Sequence, residues 1–129
     1  MAADPGFASA VNTGSALPTT ADTSLTAPTN QVTVLTAGAL GTKVEEIVCQ
    51  GVGTSVAGVV NIFRYDGATY HLIDQFLITA VTPSTTAVAF RLKRQYDNLL
   101  LKSGDTLRAS QSILGNASII KVTAFGGDF

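Results

Sequence analysis

Short β-branched and apolar runs, cut apart by glycine, proline and Asx turns at spacings of roughly 8–15 residues, point this chain to strands. The runs cover 32–35, 42–52, 59–65, 70–79, 88–93, 99–101, 106–110 and 119–125. No long segment carries the 3.6-residue period of an amphipathic helix. Short strands with regular turns pack as a two-sheet sandwich or close into a barrel, and eight of them favour the jelly roll over the seven-stranded immunoglobulin type. The latter usually sets a Trp against a Cys pair, and this chain has no Trp and one Cys. The expected fold class is all-β: a jelly-roll-like two-sheet β-sandwich with an extended N-terminal arm.

Patterning within the runs gives finer expectations. Val44, Ile47, Val48 and Cys49 break strict alternation, which suggests a bulge near Glu45-Glu46. Val60 and Ile62 share one face of their strand and Val59 and Phe63 the other. Asp66-Gly67 marks a hairpin, flanked by Tyr65 and Tyr70 as a cross-strand pair. On the return strand Leu72, Phe76 and Ile78 are expected on one face, Ile73 and Leu77 on the other. Val88, Phe90 and Leu92 are expected to face in, with Arg91 and Lys93 facing out.

Ahead of the first run lies a Thr/Ser/Ala/Pro stretch with two charges, Asp4 and Asp22, and three prolines, Pro5, Pro18 and Pro28. Such a segment buries too little apolar surface to fold alone, and its lack of charge makes it a poor soluble tail. The expected division is an arm over 1–30 and a β-domain over 31–129. The arm suits lying across a neighbouring subunit, with Val11, Leu17 and Leu25 as apolar anchors. Its removal is expected to leave the domain folded.

Charge is scarce throughout. Charged residues make up 13% of the chain and hydrophobic residues 46%, with a net charge of −1; a free soluble domain carries about 25% charged residues. The shortfall suggests a surface that meets protein; the alternative is a small secreted or thermally robust domain with a Ser/Thr surface. Apolar residues on both faces of the central strands place a homo-oligomeric contact on Val59, Phe63, Ile73 and Leu77. Of the eight basic residues only Arg91, Lys93 and Arg94 cluster, too few to track a phosphate backbone, so no nucleic-acid partner is expected. No signal peptide is recognisable and no apolar run approaches membrane-spanning length. Cys49 reads as a small core residue of a protein made in a reducing cytoplasm.

The residues that could do chemistry are few. His71 and Cys49 are single, and no spacing joins either to a nucleophile or an orienting acid. Neighbouring carboxylates Glu45 and Glu46 point to opposite faces of a strand and cannot chelate together. Gly51-Val52-Gly53 lacks the third glycine and the helix of a dinucleotide loop. No catalytic residue, cofactor or metal site is expected. Asn116-Ala117-Ser118 matches a glycosylation sequon that has meaning only on a secretory route.

Residues 54–73, which run from Thr54-Ser55-Val56-Ala57-Gly58 through Asp66-Gly67 to Ile73, resemble small structural proteins of tailed bacteriophages. So do 101–110, with Ser103-Gly104-Asp105 at their turn, and the closing Gly126-Gly127-Asp128. The group this resembles best is the head cement or decoration proteins. The resemblance implies a jelly-roll-like domain, a homotrimer seated on the outer head lattice against the major capsid protein, a place on the capsid surface of the virion, and no catalysis. The competing reading is a tail- or fibre-associated adhesion module that binds a host receptor or carbohydrate.

Overall fold

The structure, a computed structural model, describes residues 10–129. Its strands are β1 (Ala10–Ala16), β2 (Val32–Thr36), β3 (Thr42–Gly51), β4 (Gly58–Tyr65), β5 (Tyr70–Ile78), β6 (Arg91–Leu101), β7 (Thr106–Gln111) and β8 (Ile120–Asp128), with one 3-10 turn at Leu114–Asn116. They form two four-stranded antiparallel sheets, β1-β8-β3-β6 and β2-β7-β4-β5. The pairs β1·β8, β2·β7, β3·β6 and β4·β5 are those of one long hairpin, four strands out and four back. Pairing of β3 with β8 and of β4 with β7 rolls that hairpin on itself. This is the jelly-roll arrangement.

The core lies between the sheets. Val44, Ile47, Cys49, Ile120, Val122 and Ala124 face it from the first sheet; Val60, Ile62, Phe76, Ile78, Leu107 and Ala109 face it from the second. The expected bulge is present, with a register shift between Val44 and Glu46 against both neighbours of β3. It lets Val44 and Ile47, an odd number of residues apart, both point inward. Tyr65 and Tyr70 stack across the hairpin at 4.2 Å.

The leader is placed differently from expectation. Residues 1–9 lie outside the described residues, while 10–16 form edge strand β1, paired with β8 over its whole length. The boundary expected at 28–30 therefore divides nothing in the described chain. Gly14 shows why the segment fits: a Cβ there would stand 2.0 Å from the Val34 carbonyl oxygen, so β1 and β2 meet backbone to backbone and close that side of the sandwich. Asn12 adds bonds from Nδ2 to the Thr36 carbonyl (2.9 Å) and to Asp128 Oδ1 (2.8 Å).

Two facing expectations also change, and a third residue is covered. In β5, Leu72 pairs with Phe63 and Asp74 with Ile62, so Ile73 is an extra residue. That bulge turns Leu72 to the outer face beside Phe63, away from buried Phe76 and Ile78. Runs 88–93 and 99–101 merge in β6, which begins at Arg91; Val88 stays in the preceding loop and is 87% exposed. Phe63 is on the outer face as expected yet fully buried, because the Tyr70 ring stands edge-on over it at 5.9 Å.

Candidate functional site

The residues singled out for an interface do not come together. Val11 is 86% exposed on β1, Leu17 is half-buried at the start of the β1–β2 loop, and Leu25 is exposed within that loop. Val59, half-buried, faces exposed Leu77 as a cross-strand pair on the outer side of β4 and β5. Ile73 is exposed at the edge-strand bulge. Phe63 cannot contribute, since Tyr70 already covers it. What remains of the expected strand-face contact is Val59, Leu77 and Ile73.

A second surface was not legible in any single run. By register, the β1–β2, β3–β4, β5–β6 and β7–β8 loops (17–31, 52–57, 79–90 and 112–119) lie at one end of the sandwich. Those four loops contain one charged residue, Asp22. Its carboxylate is turned into its own loop, accepting the backbone N–H groups of Ser24 (2.9 Å), Thr29 (2.7 Å) and Asn30 (2.8 Å). The Asn30 N–H is the main cause holding the Asp22 carboxyl below its ordinary range. The same loops expose Leu25, Val52, Val56, Val88, Ile113 and Leu114. This end thus combines exposed aliphatic side chains with almost no charge.

This end is braced. Buried Asn116 donates Nδ2 to the Val56 carbonyl (2.8 Å) and accepts the Val56 N–H (2.9 Å), tying the β7–β8 loop to the β3–β4 loop. Ser55 donates its hydroxyl to the Thr79 carbonyl (2.7 Å) and exchanges backbone bonds with Val81, tying in the β5–β6 loop. The Ser118 N–H donates to the Pro18 carbonyl (2.9 Å), and the Asp22 N–H to that of Gln111 (2.8 Å), so the β1–β2 loop is bound as well. Loops already locked together lose little freedom when a partner arrives. The sequon at Asn116 falls on an amide committed to this bracing.

At the open side of the sandwich, edge strands β5 and β6 are held by polar groups. Asp74 accepts from Tyr96 Oη (2.6 Å), from Arg94 Nη1 and from the Gln75 N–H. Arg94 also lies 4.7 Å over the Phe76 ring. Burial alone would raise the Asp74 carboxyl, but the bonds from Tyr96, Arg94 and Gln75 outweigh it and hold it below its ordinary value. Burial, and then the Asp74 acceptor, raises the Tyr96 phenol. Behind this clasp Cys49 is fully buried, and burial pushes its thiol up to about 12, which leaves it unreactive. The set has the partners of a structural lock and no exposed nucleophile.

The opposite end carries charged turns. In the β4–β5 turn, Asp66 accepts the N–H groups of Thr69 and Ala68 and bonds His71 Nε2 at 3.1 Å, which together hold its carboxyl well below the ordinary range. Nearby, a groove of about 470 Å3 has Leu40, Leu100 and Phe129 on its walls and an Arg64–Asp105 ion pair (3.2 Å) beneath. Among the described residues no group of three or more His, Cys, Asp or Glu could hold a metal ion, and no helix is long and apolar enough to cross a membrane. Compared with known proteins, the chain matches no family model, no curated protein and no solved structure.

Proposed function

We propose that this chain is a non-enzymatic structural protein of a tailed-bacteriophage virion, a cement or decoration protein that sits on the outer head lattice as a homotrimer and stabilises it. The observation that carries the reading is the braced loop end, where aliphatic side chains are exposed and the one charge is turned inward. A partner presenting charges there would lose their hydration with no counter-charge in return. The surface fits a neutral protein face such as a capsid lattice. A trimer offers three such ends at once, so modest individual contacts combine by avidity. Val59, Leu77 and Ile73 supply the apolar strand face for contact between copies.

The test is binding to heads assembled without this protein. Full-length chain is expected to saturate them, and Leu114→Lys with Val52→Glu to weaken binding at least about tenfold while the fold persists. Equal saturation by that double variant overturns the reading. In light scattering at micromolar concentration, a trimer that dissociates on Leu77→Lys supports the strand-face contact; a wild-type monomer defeats it.

A further inference from the structure

The outer face of the β1-β8-β3-β6 sheet carries a trench whose lining shares no residue with the exposed aliphatic loops. Register sets three rows across the strands: Thr13, Phe125, Glu46 and Gln95; then Ser15, Thr123, Val48 and Lys93; then Lys121, Gln50 and Arg91. Ser15, Thr123 and Val48 are short beside their neighbours, and Lys93 at the end of their row reaches toward Glu46 (3.8 Å), so a depression of about 270 Å3 opens along β1, β8 and β3. That is just under the range of drug-sized pockets and suits a ligand the size of one sugar ring.

Its lining is chemically mixed. On the floor the Ser15 and Thr123 hydroxyls bond each other at 2.9 Å, and each oxygen keeps capacity for a further partner. On one wall Gln50 donates Nε2 to the Gly51 carbonyl (2.9 Å) and accepts from Arg91 Nη1 (3.3 Å), so both ends of the amide are engaged and the guanidinium is steered along the wall. Among the described residues Lys121 forms no ion pair. On the other wall Phe125 is 41% exposed, and Glu46 lies 3.8 Å from Lys93, which offsets its charge.

We propose that this trench binds a carboxylate-bearing sugar of an acidic glycan. The carboxylate meets Lys121 and Arg91, the ring hydroxyls meet Ser15 and Thr123, and the apolar face of the ring lies on Phe125. An acidic peptide would satisfy the two cations but leave the hydroxyl floor and the aromatic wall unused. On a particle surface such a site would hold the head near an acidic coat polysaccharide. This goes beyond attachment and involves different residues.

The test titrates the full-length chain at physiological salt with glucuronic acid and N-acetylneuraminic acid, followed by amide shifts of Val48 and Thr123. Glucose and hexaglutamate serve as controls. Millimolar binding of at least one sugar acid is expected, with glucose and hexaglutamate each weaker by about tenfold or more. Lys121→Met and Arg91→Met should each weaken the sugar acid about tenfold, and Lys121→Arg should restore it. These positions are at the surface, and an unchanged melting temperature would show the variants folded. The proposal is overturned if neither sugar acid shifts those amides, if both Met variants bind as the wild type does, or if hexaglutamate binds as tightly as the sugar acids. Leu114→Lys should leave sugar binding unchanged, so failure here and failure of lattice attachment are told apart.

Discussion

Two aspartates hold places where the backbone alone would not stay. Asp22 gathers three N–H groups of a loop that has little apolar content, and Asp74 joins Tyr96 and Arg94 across the open side of the sandwich. Removing the Asp74 charge leaves Arg94 and the Tyr96 hydroxyl short of a partner at a partly buried site. Asp74→Asn should therefore cost about 1–3 kcal/mol in urea denaturation. The sign of the pH dependence follows from the depressed carboxyls of Asp22, Asp66 and Asp74. Groups whose folded values lie below their unfolded ones contribute fully above about pH 4, and that contribution is lost as pH falls through the folded values. Stability should be level from pH 7 to 5 and decline below about pH 4, less steeply in Asp22→Asn with Asp74→Asn. A flat profile down to pH 2 would show that these bonds add nothing to the fold.

At the scale of the element, β1 is the strand that composition hides. Its sequence, AVNTGSA, has one large apolar residue, and that residue points to solvent. What makes it a strand is the neighbouring ladder of β8 and the gap that Gly14 leaves for the β2 backbone. Cutting away residues 1–30 was expected to spare the domain; with β1 in the first sheet it should not. Loss of this strand strips β8 of one ladder and opens the side next to β2, so the shortened chain should lose its cooperative melting transition. A truncated protein that melts like the full chain would return these residues to the status of an arm. Gly14→Val tests the same contact more gently. Its side chain has no room against the Val34 carbonyl, and a loss of about 1–3 kcal/mol is expected. The other edges are guarded against stray pairing by the bulge at Ile73 and by the charges along β6.

Across the whole molecule the two ends differ in kind. One presents four interlocked loops almost without charge; the other holds the Asp66–His71 turn and the Arg64–Asp105 pair. A partner seated on the first end should bind with little dependence on ionic strength, because few charges are there to be screened. On the proposed function, head attachment measured from about 50 to 500 mM salt should change only slightly, whereas the proposed sugar-acid binding in the trench should weaken over the same range. A steep salt dependence of head attachment would move the contact away from the loop end.

Much of this was open to reading in one dimension. Alternating β-branched runs and Gly or Asx turns are local signals, and they were enough for an all-β jelly-roll sandwich, the bulge at Glu45-Glu46, the Tyr65–Tyr70 pair and the burial of Cys49. The scarcity of charge was equally plain. What pairing decided is what no local pattern carries: that a Ser/Thr-rich leader completes a sheet, that one extra residue at Ile73 turns Leu72 outward, and that Phe63 is covered by Tyr70. The uncharged end and the trench are tertiary in the same sense. Each is assembled from residues far apart in the chain, because the rolled hairpin returns β8 beside β1 and β3, and a surface's charge and shape are sums over neighbours that only the folded chain brings together.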